Sequence, residues 1–171
     1  MRTVCVTLLM LLGLAACASR PAESQAQQAV TFVVVRHAEK SSDDPKDPSL
    51  SEAGAARARA LARPFASRPL TAAYATAFKR TQQTAGPAAL AAGVPVRTYD
   101  AARAPGDFVG ELRRSHAHGT ILVVGHSNTV PEIVAGLCRC PVAPLGDGDY
   151  GDLFEVRIEH GTRATLSRRT Y

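Results

Sequence analysis

The sequence predicts an α/β domain of three layers, in which a mostly parallel central sheet lies between helices on both faces. Residues 30–35 and 120–125 are nearly continuous β-branched and aliphatic runs, which are typical of strands covered on both faces. Helical segments alternate with such runs through most of the chain, and this alternation favours parallel pairing. The 171 residues suffice for one domain with a core and are too few for two domains to be expected.

Each element has a local signal in the sequence. Ser51, followed by Glu52, is an N-cap with an acidic first turn for an alanine-rich helix that reaches about Ala66. A second helix opens at Arg80 and is stopped by Gly93. Further helices are predicted at 105–117 and 129–137, further strands at 72–75 and 94–98, and a closing hairpin at 153–158 and 164–168 around His160-Gly161.

The chain is mildly basic, with 20 basic and 15 acidic residues and a formal charge of +5. Its arginines are scattered and it has no tryptophan, whereas nucleic-acid binding usually shows a clustered basic stripe with aromatic side chains for stacking. We therefore expect no nucleic-acid partner. The surplus of arginine suits an anionic small substrate or an acidic membrane surface.

Residues 1–16 are typical of a bacterial lipoprotein signal peptide. Arg2 supplies a positive start, and residues 4–16 form an almost unbroken apolar run. These 13 residues are fewer than the roughly 20 that a membrane-spanning helix needs. Leu14-Ala15-Ala16-Cys17 resembles the lipobox, in which the cysteine is acylated and becomes the new N-terminus. We therefore expect Cys17 to be lipidated and to hold the protein on the membrane.

Residues 17–29 have almost nothing to bury and predict a flexible tether, so the catalytic domain is expected to span residues 30–171. The resemblance to lipoprotein signals implies export to the cell envelope. Ala18, rather than aspartate, after the cysteine favours the outer membrane facing the periplasm.

Cys138 and Cys140 are the only cysteines left once the leader is removed and Cys17 carries lipid. Two ligands cannot make a structural zinc site. In an oxidising envelope the two thiols could pair despite the single residue between them, and two part-buried free thiols are the equal alternative. Neither cysteine is assigned a catalytic role.

Four polar side chains are expected to converge at one edge of the sheet. In folds of this class, ligands bind beyond the carboxyl ends of the strands. His37 follows the first strand and His126 follows the strand at 120–125, and Arg36 and Arg80 fall at the same edge.

This set of residues suits phosphoryl transfer. The guanidinium forks of Arg36 and Arg80 can stabilise negative charge spread over three phosphoryl oxygens. A neutral His37 imidazole can attack phosphorus in line and form a phosphohistidine. His126, protonated beside the phosphate, adds a further donor and a positive charge.

Four motifs occur in a fixed order along the chain, and together they resemble the signatures of the histidine phosphatase superfamily, which is phosphoglycerate mutase-like in fold. They cover nearly all of residues 30–131 in a strand-then-helix context. The motifs are Arg36-His37-Ala38-Glu39-Lys40, Leu50-Ser51-Glu52-Ala53-Gly54, Arg80-Thr81-Gln82-Gln83-Thr84-Ala85 and Val124-Gly125-His126-Ser127-Asn128-Thr129.

Two positions depart from the family pattern. The turn before the second arginine, usually written with serines and a proline, is Thr76-Ala77-Phe78-Lys79, and Arg57 replaces the glutamine commonly found in the first helix. Both changes touch the rim of the expected pocket. Lys40 and Lys79 are candidate phosphate contacts, although an exposed lysine is usually just solvated.

The sequence leaves the general acid open. No acidic residue directly follows His126. Members of the family differ in which carboxylate protonates the leaving group. Asp100 stands where relatives of the mutase type place an acid, while Glu39 and Asp43 are nearer the nucleophile. We favour Asp100, whose alternative role is to cap the turn at residues 101–102. Asn128 either orients the substrate or caps the last helix.

The resemblance implies hydrolysis of a phosphomonoester or phosphoanhydride through a phosphohistidine, without a metal or cofactor. The expected substrate is a phosphorylated small molecule, glycan or protein. A phosphomutase is a rival, but it would need an inserted cap, and the 46 positions from Arg80 to His126 already hold other elements. A non-catalytic envelope protein that binds phosphorylated ligands is the second rival, and the intact His37 argues against it.

Overall fold

A computed structural model describes residues 29–159 and 164–171. The predicted signal peptide, Cys17, most of the tether and the turn at His160-Gly161 lie outside the described residues. Strand β1 begins at Ala29, one residue before the predicted start of the domain. No helix in the described part of the chain is long and apolar enough to cross a membrane.

The described residues form a six-stranded sheet in the order β3-β2-β4-β1-β5-β6. Pairing is parallel between β1 and β4, β2 and β4, and β2 and β3, and antiparallel where β5 joins β1 and β6 joins β5. The predicted α/β class is therefore confirmed. The strands are Ala29–Arg36 (β1), Leu70–Thr76 (β2), Val96–Tyr99 (β3), Gly119–Gly125 (β4), Asp152–Glu159 (β5) and Thr165–Thr170 (β6).

Helices cover both faces of the sheet, as predicted. Successive side chains of β1 alternate between the faces, so that Val33 and Val35 pack with α1 and α2 while Phe32 and Val34 pack with α3 and α4. This double coverage explains why β1 is buried along its whole length. The helices are Glu52–Leu61 (α1), Lys79–Ala91 (α2), Pro105–Ser115 (α3) and Thr129–Cys138 (α4).

Helix α1 ends earlier than predicted. The sequence predicts a helix to about Ala66, but the α-helix stops at Leu61 and residues Arg63–Phe65 form a 3₁₀ turn. Pro64 explains the change, since it lacks an amide hydrogen and its ring clashes with the carbonyl one helical turn earlier. The predicted N-cap is confirmed, because the Ser51 side chain accepts a hydrogen bond from the Gly54 amide.

Cys138 and Cys140 form a disulfide at the end of α4. Arg139, between them, has a φ of 56° and ends the helix in the left-handed conformation. The structure therefore answers the question that the sequence left open in favour of pairing.

Gly54 lets α1 approach the loop that follows β1. A Cβ at this position would lie 2.1 Å from the carbonyl oxygen of Glu39, a separation that no side chain tolerates. The same carbonyl accepts a hydrogen bond of 2.9 Å from the Ser51 amide. The start of α1 is thus packed directly beneath the segment that carries Arg36 and His37.

We predict that Gly54→Ala destabilises the domain by about 1–3 kcal/mol, since the added methyl group must push α1 away from this loop. Urea unfolding of the two proteins measures the change. Gly86→Ala is the matched control, because Gly86 lies inside α2 with nothing within 4 Å of its added Cβ. The control should gain up to about 1 kcal/mol from helix propensity. Equal stabilities for Gly54→Ala and the wild type would contradict the close packing.

Candidate active site

The parallel pair β1 and β4 brings the two histidines together. Arg36 is in register with Gly125, and the backbone N–H of His37 donates to the Gly125 carbonyl over 2.9 Å. The next residues, His37 and His126, therefore lie side by side with ring centroids 5.4 Å apart in an edge arrangement. The expected convergence at the carboxyl end of the sheet is present.

These residues line a cavity of about 460 Å³, within the usual range for small-ligand sites. The lining contains both predicted arginines, both histidines, Lys40 and Asn128. The full set is Arg36, His37, Lys40, Phe78, Arg80, Ala101, His126, Ser127, Asn128, Thr129 and Asp147.

The ring of His37 has one nitrogen free to act as a nucleophile. Its Nδ1 lies 2.9 Å from the carbonyl oxygen of Ala38, and because a carbonyl can only accept, the ring proton is on Nδ1. Nε2 then carries the lone pair. Burial, together with the positive charges of Arg80, Arg36 and Lys40, lowers the pKa of His37 to about 4, although the bond to Ala38 acts in the opposite direction. His37 is thus a neutral imidazole at neutral pH.

Arg36 is buried and anchored by a distant loop. Its Nη1 donates to the carbonyl oxygens of Gly146 (2.9 Å) and Asp147 (3.0 Å), and its guanidinium lies 4.2 Å from the ring centroid of Tyr150. Its Nε is buried and has no hydrogen-bond partner. Nη1 of Arg36 is therefore held by the protein, whereas Nε has no protein partner.

The Arg80 guanidinium likewise has protein contacts on one side and one nitrogen without a hydrogen-bond partner. Its guanidinium lies 4.3 Å from the ring centroid of Phe78, and its Nη1 is 3.7 Å from a carboxylate oxygen of Asp47. That distance is too long for a hydrogen bond, and Nη1 is buried without a partner. Asp47 also accepts a hydrogen bond of 3.0 Å from the Lys79 amide and so holds the first turn of α2.

A chain of hydroxyl groups orients His126. The Thr81 hydroxyl donates to the carbonyl of Phe78 or Thr76, at 2.7 or 3.0 Å. With that hydrogen used, Thr76 Oγ1 donates to Thr81 Oγ1 over 2.8 Å and accepts from His126 Nε2–H over 3.0 Å. The proton of His126 is therefore on Nε2. Burial lowers the pKa of His126 to about 4, assisted by the charges of His37, Arg80 and Arg36.

Asn128 and Lys40 line the cavity, whereas Asp100 does not. Asn128 is the N-cap residue of α4, yet its side chain makes no capping hydrogen bond, which favours its substrate-orienting role. Asp100 is exposed, and its carboxylate accepts a hydrogen bond of 2.8 Å from the Ala102 amide. It thus occupies the turn-capping position considered above, and its acid role stays a prediction.

The two alternative acids are committed to other partners. Glu39 accepts three hydrogen bonds of 2.6–2.9 Å from Arg57, and these bonds lower the pKa of Glu39. Hydrogen bonds from Ser41 and Ser49 lower the pKa of Asp43 to about 2. Arg57, the residue that departs from the family pattern, therefore anchors the loop after His37 by holding Glu39.

Sequence reasoning missed several residues of the site. Thr84 accepts a hydrogen bond of 2.9 Å from the Ala38 amide and fixes the backbone beside His37. Thr76 orients His126, and Tyr150 covers Arg36. Thr84 lies inside the second arginine motif, so its position was visible. Tyr150 and Asp147 lie in a loop with no motif, and no sequence signal places them near Arg36.

Among residues 29–159 and 164–171, no group of three or more histidine, cysteine, aspartate or glutamate side chains could hold a metal ion.

The comparisons with known proteins agree with this geometry. Residues 32–103 match the sequence model described as histidine phosphatase superfamily (branch 1). This part of the chain is therefore similar to the histidine phosphatase superfamily. The match contains the first three motifs, including Arg36, His37 and Arg80, while the motif of His126 lies beyond it. It confirms the predicted family and the predicted enzyme class, a histidine phosphatase.

Solved structures share the fold at low sequence identity. The protein histidine phosphatase SixA, complexed with tungstate, has a TM-score of 0.68 and 17% identity, over 82% of this chain and 96% of that one. A mycobacterial glucosyl-3-phosphoglycerate phosphatase has a TM-score of 0.65 and 17% identity, over 81% of this chain and 97% of that one. A protein described as mycobacterial hydrolase 1 has a TM-score of 0.63 and 16% identity, over 81% and 97%. No curated protein sequence gives a significant match.

We predict that His37 and His126 both stay neutral down to about pH 5, since burial lowers both pKa values to about 4. Nitrogen NMR of the imidazoles should show a proton on Nδ1 of His37 and on Nε2 of His126. The control is the urea-unfolded chain, in which histidines titrate near the ordinary value of about 6.5. Inorganic phosphate should raise the pKa of His126, because a dianion favours the protonated ring. A His37 ring that is already protonated at pH 6 without phosphate would contradict the assignment.

Proposed function

We propose that this protein hydrolyses phosphomonoesters through a phosphohistidine on His37, in the cell envelope, to which a lipid on Cys17 anchors it. One observation carries the catalytic part of the proposal. Arg36 and Arg80 line the cavity that also contains the free nucleophile, and each has one buried N–H donor without a hydrogen-bond partner.

Unpaired buried donors are costly, at about 1–3 kcal/mol each and more for charged groups. A phosphoryl group supplies several strong acceptor oxygens and a compensating negative charge, so it would satisfy both donors at once. Lys40 adds a third cation to the lining. The cavity therefore favours a dianionic phosphate ester over a neutral ligand.

The reaction proceeds in two displacements. The lone pair on His37 Nε2 attacks phosphorus, the bond from phosphorus to the ester oxygen breaks, and the leaving oxygen takes a proton from an acid. Ala38 holds the Nδ1 proton of the resulting phosphohistidine through the carbonyl bond described above. Water then attacks the phosphorus, loses a proton to the same acid group, and releases inorganic phosphate with the lone pair restored to Nε2. Arg36, Arg80 and His126 stabilise the transferred group.

The fold does not select the substrate. Among the structural neighbours, one is named for protein histidine and another for glucosyl-3-phosphoglycerate. The substrate class is therefore a phosphomonoester on a small molecule, glycan or protein. A panel of such esters presented to residues 30–171 would rank them.

Two features support the location. The sequence of residues 1–17 matches the lipoprotein signal pattern. The disulfide between Cys138 and Cys140 is also typical of proteins outside the cytoplasm, where thiols can be oxidised. The first feature supports acyl anchoring at the membrane, and the second supports a compartment in which thiols are oxidised.

We predict that His37 is covalently phosphorylated during turnover, because its Nε2 carries the lone pair next to both arginines. Rapid quench at mildly alkaline pH, followed by peptide mass spectrometry, should find acid-labile phosphate on the peptide that contains His37. His37→Ala should lose nearly all turnover, by about 10³-fold or more, while keeping phosphate binding through the arginines.

Two variants serve as controls for this experiment. Arg80→Ala should weaken both binding and turnover, since it removes a ligand of the phosphoryl group. His118→Ala alters an exposed histidine outside the cavity lining and should leave turnover unchanged. The phosphohistidine mechanism is wrong if no adduct forms and His37→Ala keeps near-normal activity.

We predict that Cys17→Ser abolishes lipidation, because serine lacks the thiol that would be acylated. The precursor should then stay uncleaved, since the lipobox implies that the acylated cysteine becomes the new N-terminus. Several acyl chains hold a protein firmly, whereas one chain alone binds only marginally. Mass spectrometry of the mature N-terminus and membrane fractionation measure both effects. Cys5→Ser changes a leader cysteine that is removed with the signal and should be neutral. An unmodified mature N-terminus in the wild type would end the anchoring proposal.

A further inference from the structure

Asp147 is the single acidic residue in the lining of the active-site cavity, within the part of the chain that the structure describes. The other charged groups there are Arg36, Lys40, Arg80 and the two histidines. The sequence offered no sign of this residue, because the loop before β5 carries no family motif.

The backbone of Asp147 is fixed while its carboxylate is free. Arg36 Nη1 donates to the carbonyl oxygens of Gly146 and Asp147, at 2.9 and 3.0 Å. Asp149 accepts a hydrogen bond of 2.8 Å from the Gly146 amide and closes the turn. The Asp147 side chain is exposed, and its carboxylate makes no hydrogen bond or ion pair within the described residues. The residue is therefore held beside a phosphate-binding arginine with an uncommitted carboxyl group.

Every other carboxylate considered for the acid role is occupied. Glu39 is held by Arg57, Asp43 by the Ser41 hydroxyl and the Ser49 amide, and Asp100 by the Ala102 amide. Asp47 accepts a hydrogen bond from the Lys79 amide, and its carboxylate lies 3.7 Å from Arg80 Nη1. These four carboxylates therefore have hydrogen-bond partners within the protein, whereas that of Asp147 has none among the described residues.

We propose that Asp147 is the general acid and base of the reaction, an assignment that rests on the proposed phosphatase function. As His37 Nε2 bonds to phosphorus and the ester bond breaks, the leaving oxygen takes the proton of the Asp147 carboxyl group and departs as an alcohol. In the second step the Asp147 carboxylate takes a proton from the attacking water, whose oxygen bonds to phosphorus as the bond to Nε2 breaks. The protein returns to its starting state.

Asp147 is exposed and lines the cavity, with its backbone held against Arg36. This position suits a group that gives a proton to a departing alcohol and takes one from an entering water molecule.

The test compares leaving groups that need a proton to different degrees. The wild type and Asp147→Asn are assayed with 4-nitrophenyl phosphate, phenyl phosphate and glycerol 2-phosphate. Nitrophenolate departs without a proton, so Asp147→Asn should change its turnover by less than about 3-fold, whereas glycerol phosphate should slow by about 100-fold or more. Phenyl phosphate should fall between the two.

Two further variants accompany Asp147→Asn. Asp107→Asn changes an exposed aspartate on α3, outside the cavity lining, and should affect no substrate. Asp100→Asn tests the rival acid. Equal losses on all three esters, no loss, or a leaving-group effect confined to Asp100→Asn would each overturn the role of Asp147 while leaving the phosphatase function intact. Absence of turnover by the wild type on all three esters would overturn the proposed function and, with it, this acid.

Discussion

The parallel pairing of β1 with β4 is the constraint on which the site depends. The two strands run in register from Val30 and Gly119 to Arg36 and Gly125, so they end together. The hydrogen bond from the His37 amide to the Gly125 carbonyl continues the ladder by one step and fixes the first histidine beside the second. A slip of one residue would turn every side chain of β1 to the opposite face, exchange Phe32 and Val34 with Val33 and Val35 between the two cores, and displace His37 from His126. The packing of the sheet therefore enforces the geometry of the nucleophile.

The antiparallel half of the sheet contributes through a loop. Arg36 is buried, and a buried guanidinium needs partners to offset the loss of hydration. The carbonyl groups of Gly146 and Asp147 and the ring of Tyr150 provide them. The same contacts hold the loop before β5 against the cavity. Arg36, which is proposed to bind phosphate, thus also fixes one wall of the site, and in this way residues remote in sequence become part of it.

The sequence predicted the central strands, which show in the periodicity of apolar residues, and the site residues that directly follow those strands. Residues 30–35 and 120–125 identified the central strands, and the polar residues after them identified Arg36, His37 and His126. Side-chain contacts between loops carry no such signature. The partners of Thr76 and Thr84, the stacking of Tyr150 and the free carboxylate of Asp147 depend on how loops fold over the sheet edge. Asp100 illustrates the difference, since its position after β3 resembles that of an acid while its carboxylate caps a turn.

The charges of the free site explain why its acid lies at the rim. Burial keeps both histidines neutral, so the positive charge of the lining comes from Arg36, Arg80 and Lys40. In the proposed mechanism, an entering phosphate dianion would compensate these cations and raise the pKa of His126, so that the second histidine would become a charged donor once substrate is bound. His37 would attack as the neutral ring, and His126 would stabilise the transferred phosphoryl group. The proposed mechanism therefore assigns protonation of the leaving oxygen to a carboxyl group near solvent, outside the buried cluster.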